Sequence, residues 1–316
     1  MELKQLGERT WYVPGRVNLG YYEEDGRGYL IDTGLDDEYG RKILKLLNEE
    51  RKGVPLRAVV NTHSNADHIG GNAFIQKRTG CEIWGTRLEG VLTERTSLEP
   101  FLLWSAWPFR EIRGKFIEAK PSKVTFFGTT PLTEGPIMDT ALTAVPLPGH
   151  YLEMFGVKTP DGVFFLADAL FDPAILAKYR FCVMVDIAGA YRTLTMIEGT
   201  EAAWFVPCHA PVTRDIRELV RQNREGLAWV SEAVYDALSE GPLSREDILS
   251  RVGMANALEM DAAHLLLNLT SVSSHLTWLS NGEKVEPFVK DCRLLWRHKE
   301  KEEKEGPPDG FSGACP

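Results

Sequence analysis

An α+β fold with a smaller helical C-terminal domain is what the sequence predicts, from three of its features. Strand-like and helix-like segments alternate over the first third, polar residues recur at the ends of successive strand-like segments, and from about Thr213 the pattern turns helical. A chain of 316 residues fits one large or two unequal domains, and 43% apolar residues are ample for a packed core.

The segments RTWYVPGRVNLGYYEED and GRGYLIDTG are rich in β-branched and aromatic residues and are separated by a turn at Asp25-Gly26. DDEYGRKILKLLNEE repeats apolar residues at helical spacing, with Ile43, Leu44, Leu46 and Leu47 on one side. LRAVVNTH reads as a short buried strand that delivers a polar cluster at its C-terminal end, where open α/β sheets place their chemistry. ADHIGGNAFIQKRTG is expected to form one helix ending at Gly80, and CEIWGT another strand.

The run FLLWSAWPF, Phe101 to Phe109, interrupts this rhythm with four aromatics in nine positions. A core helix or a dimer contact is the favoured reading over a lid on a cleft, so a homodimer enters as an expectation. Strand-like pieces resume with KVTFFGTT, ALTAVPLPGHY, EMFGVKTPDGVFFLADAL and AAWFVPCHAPV, and Pro160-Asp161-Gly162 marks a hairpin. Then follow a long helix from about Arg214, a short one opened by Ser244 and Glu246-Asp247, and a third over Asp261 to Asn281. With a hairpin expected at Asn281-Gly282, this order is a winged-helix pattern. The divisions are therefore 1–212, 213–299 and a charged, then Gly/Pro-rich tail over 300–316.

A net charge of −9 argues against a surface built to neutralise phosphates. The third helix contains no Lys or Arg, so nucleic acid is not an expected partner. Five scattered cysteines form no C-x-x-C pair, no uninterrupted apolar run reaches the roughly 20 residues of a membrane span, and no basic start precedes an apolar core. The expected setting is the reducing cytoplasm, away from a membrane.

The stretch THSNADHIGG places His63, Asn65, Asp67 and His68 on one short loop. Further along, His150 ends PLPGH, Asp168 ends FFLAD and His209 ends AWFVPCH. Groups at the ends of successive strands converge on one rim of a sheet, as a metal site requires. Cys208 and His209 should point to opposite faces if both lie on a strand, which gives Cys208 a packing role. His264, His275 and His298 are read as ordinary surface or core histidines. No G-x-S-x-G serine-hydrolase motif is present; the nearest sequence, GFSGA from Gly310 to Ala314, sits in the tail.

The set His63-Ser64-Asn65-Ala66-Asp67-His68, His150, Asp168 and His209, with IDTG at Ile31 to Gly34, resembles the metallo-β-lactamase superfamily over about Asn18 to Pro211. The C-terminal segment resembles the winged-helix extension of one branch. The resemblance implies a four-layer αβ/βα sandwich and one or two divalent ions, zinc foremost, with manganese or iron as alternatives. It puts His63, Asn65 and His150 at a first metal position, Asp67, His68 and His209 at a second, and Asp168 between them. Asp67 or Asp168 would orient the nucleophile and take its proton, and Asp32 would hold the metal loop through hydrogen bonds.

The departure from the family pattern is Asn65, where an imidazole is expected. Amide oxygen binds zinc less well than imidazole and suits manganese or magnesium better, so the second position should fill and the first should be weaker or ion-selective. The implied activity is attack by metal-activated water on a small-molecule ester, thioester, lactone or related acyl substrate. A nuclease or phosphodiesterase of the same fold, and a non-catalytic binding protein with a degenerate site, are the alternatives.

Overall fold

A computed structural model describes residues 1–300, and its core is two β-sheets face to face. The first sheet takes its seven strands in chain order: β1 (Lys4–Gln5), β2 (Thr10–Val13), β3 (Leu19–Glu24), β4 (Arg27–Ile31), β5 (Leu56–Val60), β6 (Glu82–Gly85) and β7 (Thr125–Phe126). The pairs β1 to β4 run antiparallel and β4 to β7 parallel, so the sheet is mixed. The second sheet, ordered β12-β11-β10-β9-β8, holds β8 (Gly135–Pro136), β9 (Thr143–Pro146), β10 (Phe155–Lys158), β11 (Val163–Phe165) and β12 (Trp204–Val206). Only its β11–β12 pair is parallel.

Alternation along each strand sends one set of side chains inward between the sheets and the next outward under helices. Tyr22, Tyr29, Ile31, Val60 and Trp84 of the first sheet meet Phe155, Val157, Phe165 and Val206 of the second. On the outer face of the first sheet, Leu30, Val59 and Ile83 pack on Ile43, Leu46 and Leu47 of α1 (Asp37–Glu50). Helix α1 begins where the Asp36 carboxylate accepts from the Tyr39 amide at 3.0 Å. Two short helices follow β5, α2 (Ala66–Ile69) and α3 (Asn72–Thr79), then α4 (Arg87–Glu94), α5 (Leu98–Trp104) and α6 (Pro173–Tyr179). On the far side of the second sheet, Phe164 and Phe205 pack on Ile187, Leu194 and Ile197 of α7 (Ile187–Glu198) and on Val220 and Leu227 of α8 (Arg217–Asp236). The order helices, sheet, sheet, helices is the expected four-layer arrangement.

Helix α8 is followed by α9 (Arg245–Ala255), opened by a capping box between Ser244 and Asp247, and by α10 (Ala262–Asn281). These helices share a core containing Val230, Ile248, Leu249, Val272 and Leu276, to which Ile112 and Phe181 of the preceding segment also belong. A two-stranded hairpin, β13 (Val285–Lys290) and β14 (Arg293–His298), closes the described chain.

Four expectations are corrected. The helix expected from Ala66 to Gly80 is broken at Gly70-Gly71, where a Cβ on Gly70 would sit 2.0 Å from the Leu35 carbonyl oxygen. The run Phe101 to Phe109 is not a core helix: Phe101, Leu102, Trp104 and Trp107 are exposed. KVTFFGTT contributes only the two residues of β7. The hairpin turns at Asp291 and Cys292, both with positive φ, and Asn281-Gly282 ends α10 instead. The tail expected over 300–316 lies, from Lys301 on, outside the described residues. Among those described, no helix is long and apolar enough to cross a membrane.

Candidate metal centre

Every residue singled out in the sequence motif follows the C-terminal end of a strand. Asp32 follows β4, and His63 and Asn65 follow β5, with Asp67 and His68 on the α2 turn beyond them. His150, Asp168 and His209 lie just past β9, β11 and β12. The turns before two of them are tight: Gly149 has φ 139°, and a Cβ there would lie 2.6 Å from the Ala190 Cα, while Ala167 has φ 47°.

The structure brings all seven candidates together. His68 Nε2 lies 3.1 Å from Asp168 Oδ1, and His209 Nε2 lies 3.1 Å from Asp168 Oδ2 and 3.3 Å from Asp67 Oδ2. His150 Nε2 is 3.7 Å from Asp168 Oδ2 and 2.9 Å from Asn65 Oδ1. The rings of His63 and His68 lie with centroids 4.0 Å apart, tilted 46° to each other, and both are fully buried. Ligand atoms of a tetrahedral ion with bonds of about 2.0–2.1 Å stand roughly 3.4 Å apart, and these spacings bracket that value.

The outward nitrogens decide how the rings present themselves. Nδ1 of His63 meets Thr62 Oγ1 at 3.1 Å, and that of His68 meets Asp32 Oδ2 at 2.8 Å. Nδ1 of His150 donates to the Val183 carbonyl at 2.7 Å, and that of His209 to the Arg16 carbonyl at 3.0 Å. All four Nε2 atoms therefore face one another, each ring held from behind in the manner of metal-binding histidines. Of the inward atoms, His63 Nε2 is buried without a hydrogen-bond partner, and His68 Nε2 and Asp168 Oδ1 face each other at 3.1 Å without hydrogen-bond geometry. Buried polar atoms so poorly satisfied are costly, and three on one centre fit a bound cation. His63, His68 and Asp168 offer ligand atoms within 4.8 Å of one another, as do Asp67, His68 and His209.

The electrostatics point the same way. Burial opposes ionisation of Asp168, yet His209 and His68 beside it hold its carboxyl well below the usual range. Burial likewise opposes the charged form of His209, but Asp168 and Asp67 push that imidazole up to about 10. His68 is raised for the same reason by Asp168, Asp67 and Asp32. Protons on these two rings stand where a metal would supply the charge, so binding should release them. Burial lowers His63 and His150, leaving their Nε2 lone pairs available.

Asp32 holds the loop as expected, accepting from the Thr62 amide, from Thr62 Oγ1 and from His68 Nδ1. Cys208 is buried among apolar residues, yet its Sγ lies within 4.8 Å of Asp32 and His68 ligand atoms, beneath the same loop. Burial pushes its thiol up to about 12, which keeps it protonated. His264 is exposed and His275 buried, and among the described residues neither belongs to a group able to hold a metal.

Two residues escape sequence reasoning. Glu89 on α4 accepts from the amide and hydroxyl of Ser64 and from the Glu153 amide, and burial pushes its carboxyl up to about 7. Glu99 on α5 accepts from Asn65 Nδ2 at 2.8 Å. Both belong to helices distant in sequence from the loop they support, and no local spacing signals them.

Residues 12–209 match the metallo-beta-lactamase superfamily, and that span is well over half of the chain. The chain belongs to this superfamily. It is a hydrolase of that superfamily, with a buried His/Asp cluster suited to a metal ion.

The fold is similar to a beta-lactamase domain protein from Burkholderia ambifaria, with TM-score 0.69 and 17% identity, covering 94% of this chain and 93% of that one. It is similar also to a metallo-beta-lactamase family protein from Thermus thermophilus, with TM-score 0.68 and 16% identity, covering 93% of this chain and 100% of that one. A metallo-beta-lactamase from Pontibacter korlensis gives TM-score 0.53 and 18% identity over 72% of this chain and 98% of that one. At such identities the likeness is one of fold. No curated protein matches the sequence.

Proposed function

We propose that the protein is a metal-dependent hydrolase of a small acyl substrate, an ester, thioester or lactone. The observation that carries this reading is the inward convergence of four Nε2 atoms on Asp168, each ring being held from behind. Asp67, His68 and His209 would hold the second position, and Asp168 would lie between the two. His63, Asn65 and His150 would hold the first, weaker position. When bound, a divalent ion supplies a water that ionises near neutral pH and a positive charge for the developing oxyanion. Asp67 or Asp168, both held ionised by the surrounding imidazoles, would orient that water and take its proton. Were the exposed residues Phe101, Leu102, Trp104 and Trp107 to face the metal cleft, they would favour an apolar acyl group over a charged one. We propose zinc as the ion, with manganese or iron as substitutes, and a winged helix that serves structure, since α10 has no Lys or Arg.

The test is metal per chain by elemental analysis of protein purified without chelator, together with turnover of ester, thioester and lactone panels. One or two ions, with hydrolysis abolished in Asp168→Ala while its circular dichroism is unchanged, is the expected result. No ion after dialysis against zinc or manganese sinks the reading. So does full turnover in Asp168→Ala.

A further inference from the structure

Glu99 lies outside every motif, on a helix whose neighbouring residues Phe101, Leu102 and Trp104 are exposed, yet it is itself only 7% exposed. No cationic side chain pairs with it among the described residues; its side-chain partner is Asn65. Burial pushes its carboxyl well above the usual range, and an acid buried without a cation is costly, so packing alone is a poor account of it.

The bond has a directional consequence. Glu99 Oε1 accepts, so it takes the NH2 end of the Asn65 amide, at 2.8 Å. The carbonyl end must then face the opposite way, and it does: Asn65 Oδ1 lies 2.9 Å from His150 Nε2. Asn65 is the residue before α2 but makes no side-chain capping bond there, so the helix does not orient it. Turned over, the amide would aim N–H donors at a cation site. His150 Nδ1 already donates to the Val183 carbonyl, which leaves Nε2 and Asn65 Oδ1 side by side with a cation able to satisfy both.

We propose that Glu99 is the positioning residue of the first metal position, holding Asn65 so that its amide oxygen is the atom offered to the ion. This rests on the ligand reading given above. It also ties the exposed aromatic helix α5 to the metal loop through a single hydrogen bond.

The experiment is a calorimetric titration of chelator-stripped protein with zinc and, separately, manganese, with bound metal counted by elemental analysis. Glu99→Leu should weaken the weaker binding step roughly 10- to 100-fold, the usual cost of losing an outer partner, and leave the tight step unchanged. Glu99→Gln keeps an oxygen that can accept the same bond and should bind both ions like the parent. In an Asn65→Ala background, Glu99→Leu should add no further loss, because Glu99 acts through Asn65.

Unchanged binding in Glu99→Leu overturns the proposal, and so does a further loss in the Asn65→Ala background. Failure of Glu99→Gln to bind like the parent overturns it as well, as does equal weakening of both steps. A parent that binds no ion, or a single ion indifferent to Asn65→Ala, overturns the first-position assignment along with it. A parent with two ions and an unaffected Glu99→Leu overturns the Glu99 role alone.

Discussion

At the scale of single residues, Asn65 is the departure that gives this centre its character. Its oxygen lies 2.9 Å from His150 Nε2, at a position where the superfamily motif is expected to carry an imidazole. Imidazole binds zinc better than amide oxygen, so Asn65→His is expected to bring a second zinc equivalent into the purified protein and to tighten the weaker step about tenfold. Elemental analysis and titration check this; a variant that binds added zinc no better than the parent removes position 65 from the ligand set. The ligand candidates themselves were legible in the sequence because each sits in the loop or turn that follows a strand, where chain order and space coincide. Glu89 and Glu99 were not. Their carboxylates reach Ser64 and Asn65 only after α4 and α5 pack over the loop, a pairing across 25 and 34 residues that no local pattern encodes.

At the scale of elements, Gly70-Gly71 determines how the metal loop meets the first sheet. The helical periodicity from Ala66 to Gly80 suggested one helix, but the chain must pass against the backbone of residues 33 to 35. A Cβ on Gly70 would meet the Leu35 carbonyl at 2.0 Å, and one on Gly71 the Thr33 carbonyl at 2.6 Å. Such a contact is a tertiary fact, invisible to periodicity. Gly70→Ala is therefore expected to cost about 3 kcal/mol, at the upper end of overpacking in a tight core. Gly80→Ala should cost only about 1–2 kcal/mol, because Gly80 has φ 71° with open space around its Cα. Urea unfolding of the two variants compares them directly, and equal losses would show that the close approach at Gly70 is unimportant. The run Phe101 to Phe109 failed as a core helix for a related reason: composition registers its aromatics, but within it only Pro108 is buried, with Leu103 and Phe109 half-buried against the C-terminal core.

Across the whole molecule, the C-terminal helices brace the centre. The Ser271 hydroxyl on α10 donates to the Cys182 carbonyl at 2.9 Å and accepts from the Met184 amide at 3.3 Å. Those bonds flank Val183, whose carbonyl holds His150. Asn223 on α8 pairs with both backbone groups of Phe171, whose ring stacks on His209 at 5.8 Å.

One turn along α10 from Ser271 lies His275, buried, with Nδ1 2.8 Å from the Ser231 hydroxyl. Burial pushes its imidazole down to about 3, from an ordinary value of 6.5. Between those values the unfolded chain binds a proton that the native protein refuses. The stability linked to His275 is thus complete above about pH 6.5 and is lost as the pH falls toward 3. At about 1.4 kcal/mol per pH unit, the loss reaches about 2 kcal/mol at pH 5. His275→Gln removes the titration, so its unfolding free energy should fall less than the parent's between pH 7.5 and pH 5, by about that amount. Urea unfolding at the two pH values measures the difference. Equal falls in parent and variant would place the acid lability elsewhere, whereas the expected gap would locate it in the helix that supports His150.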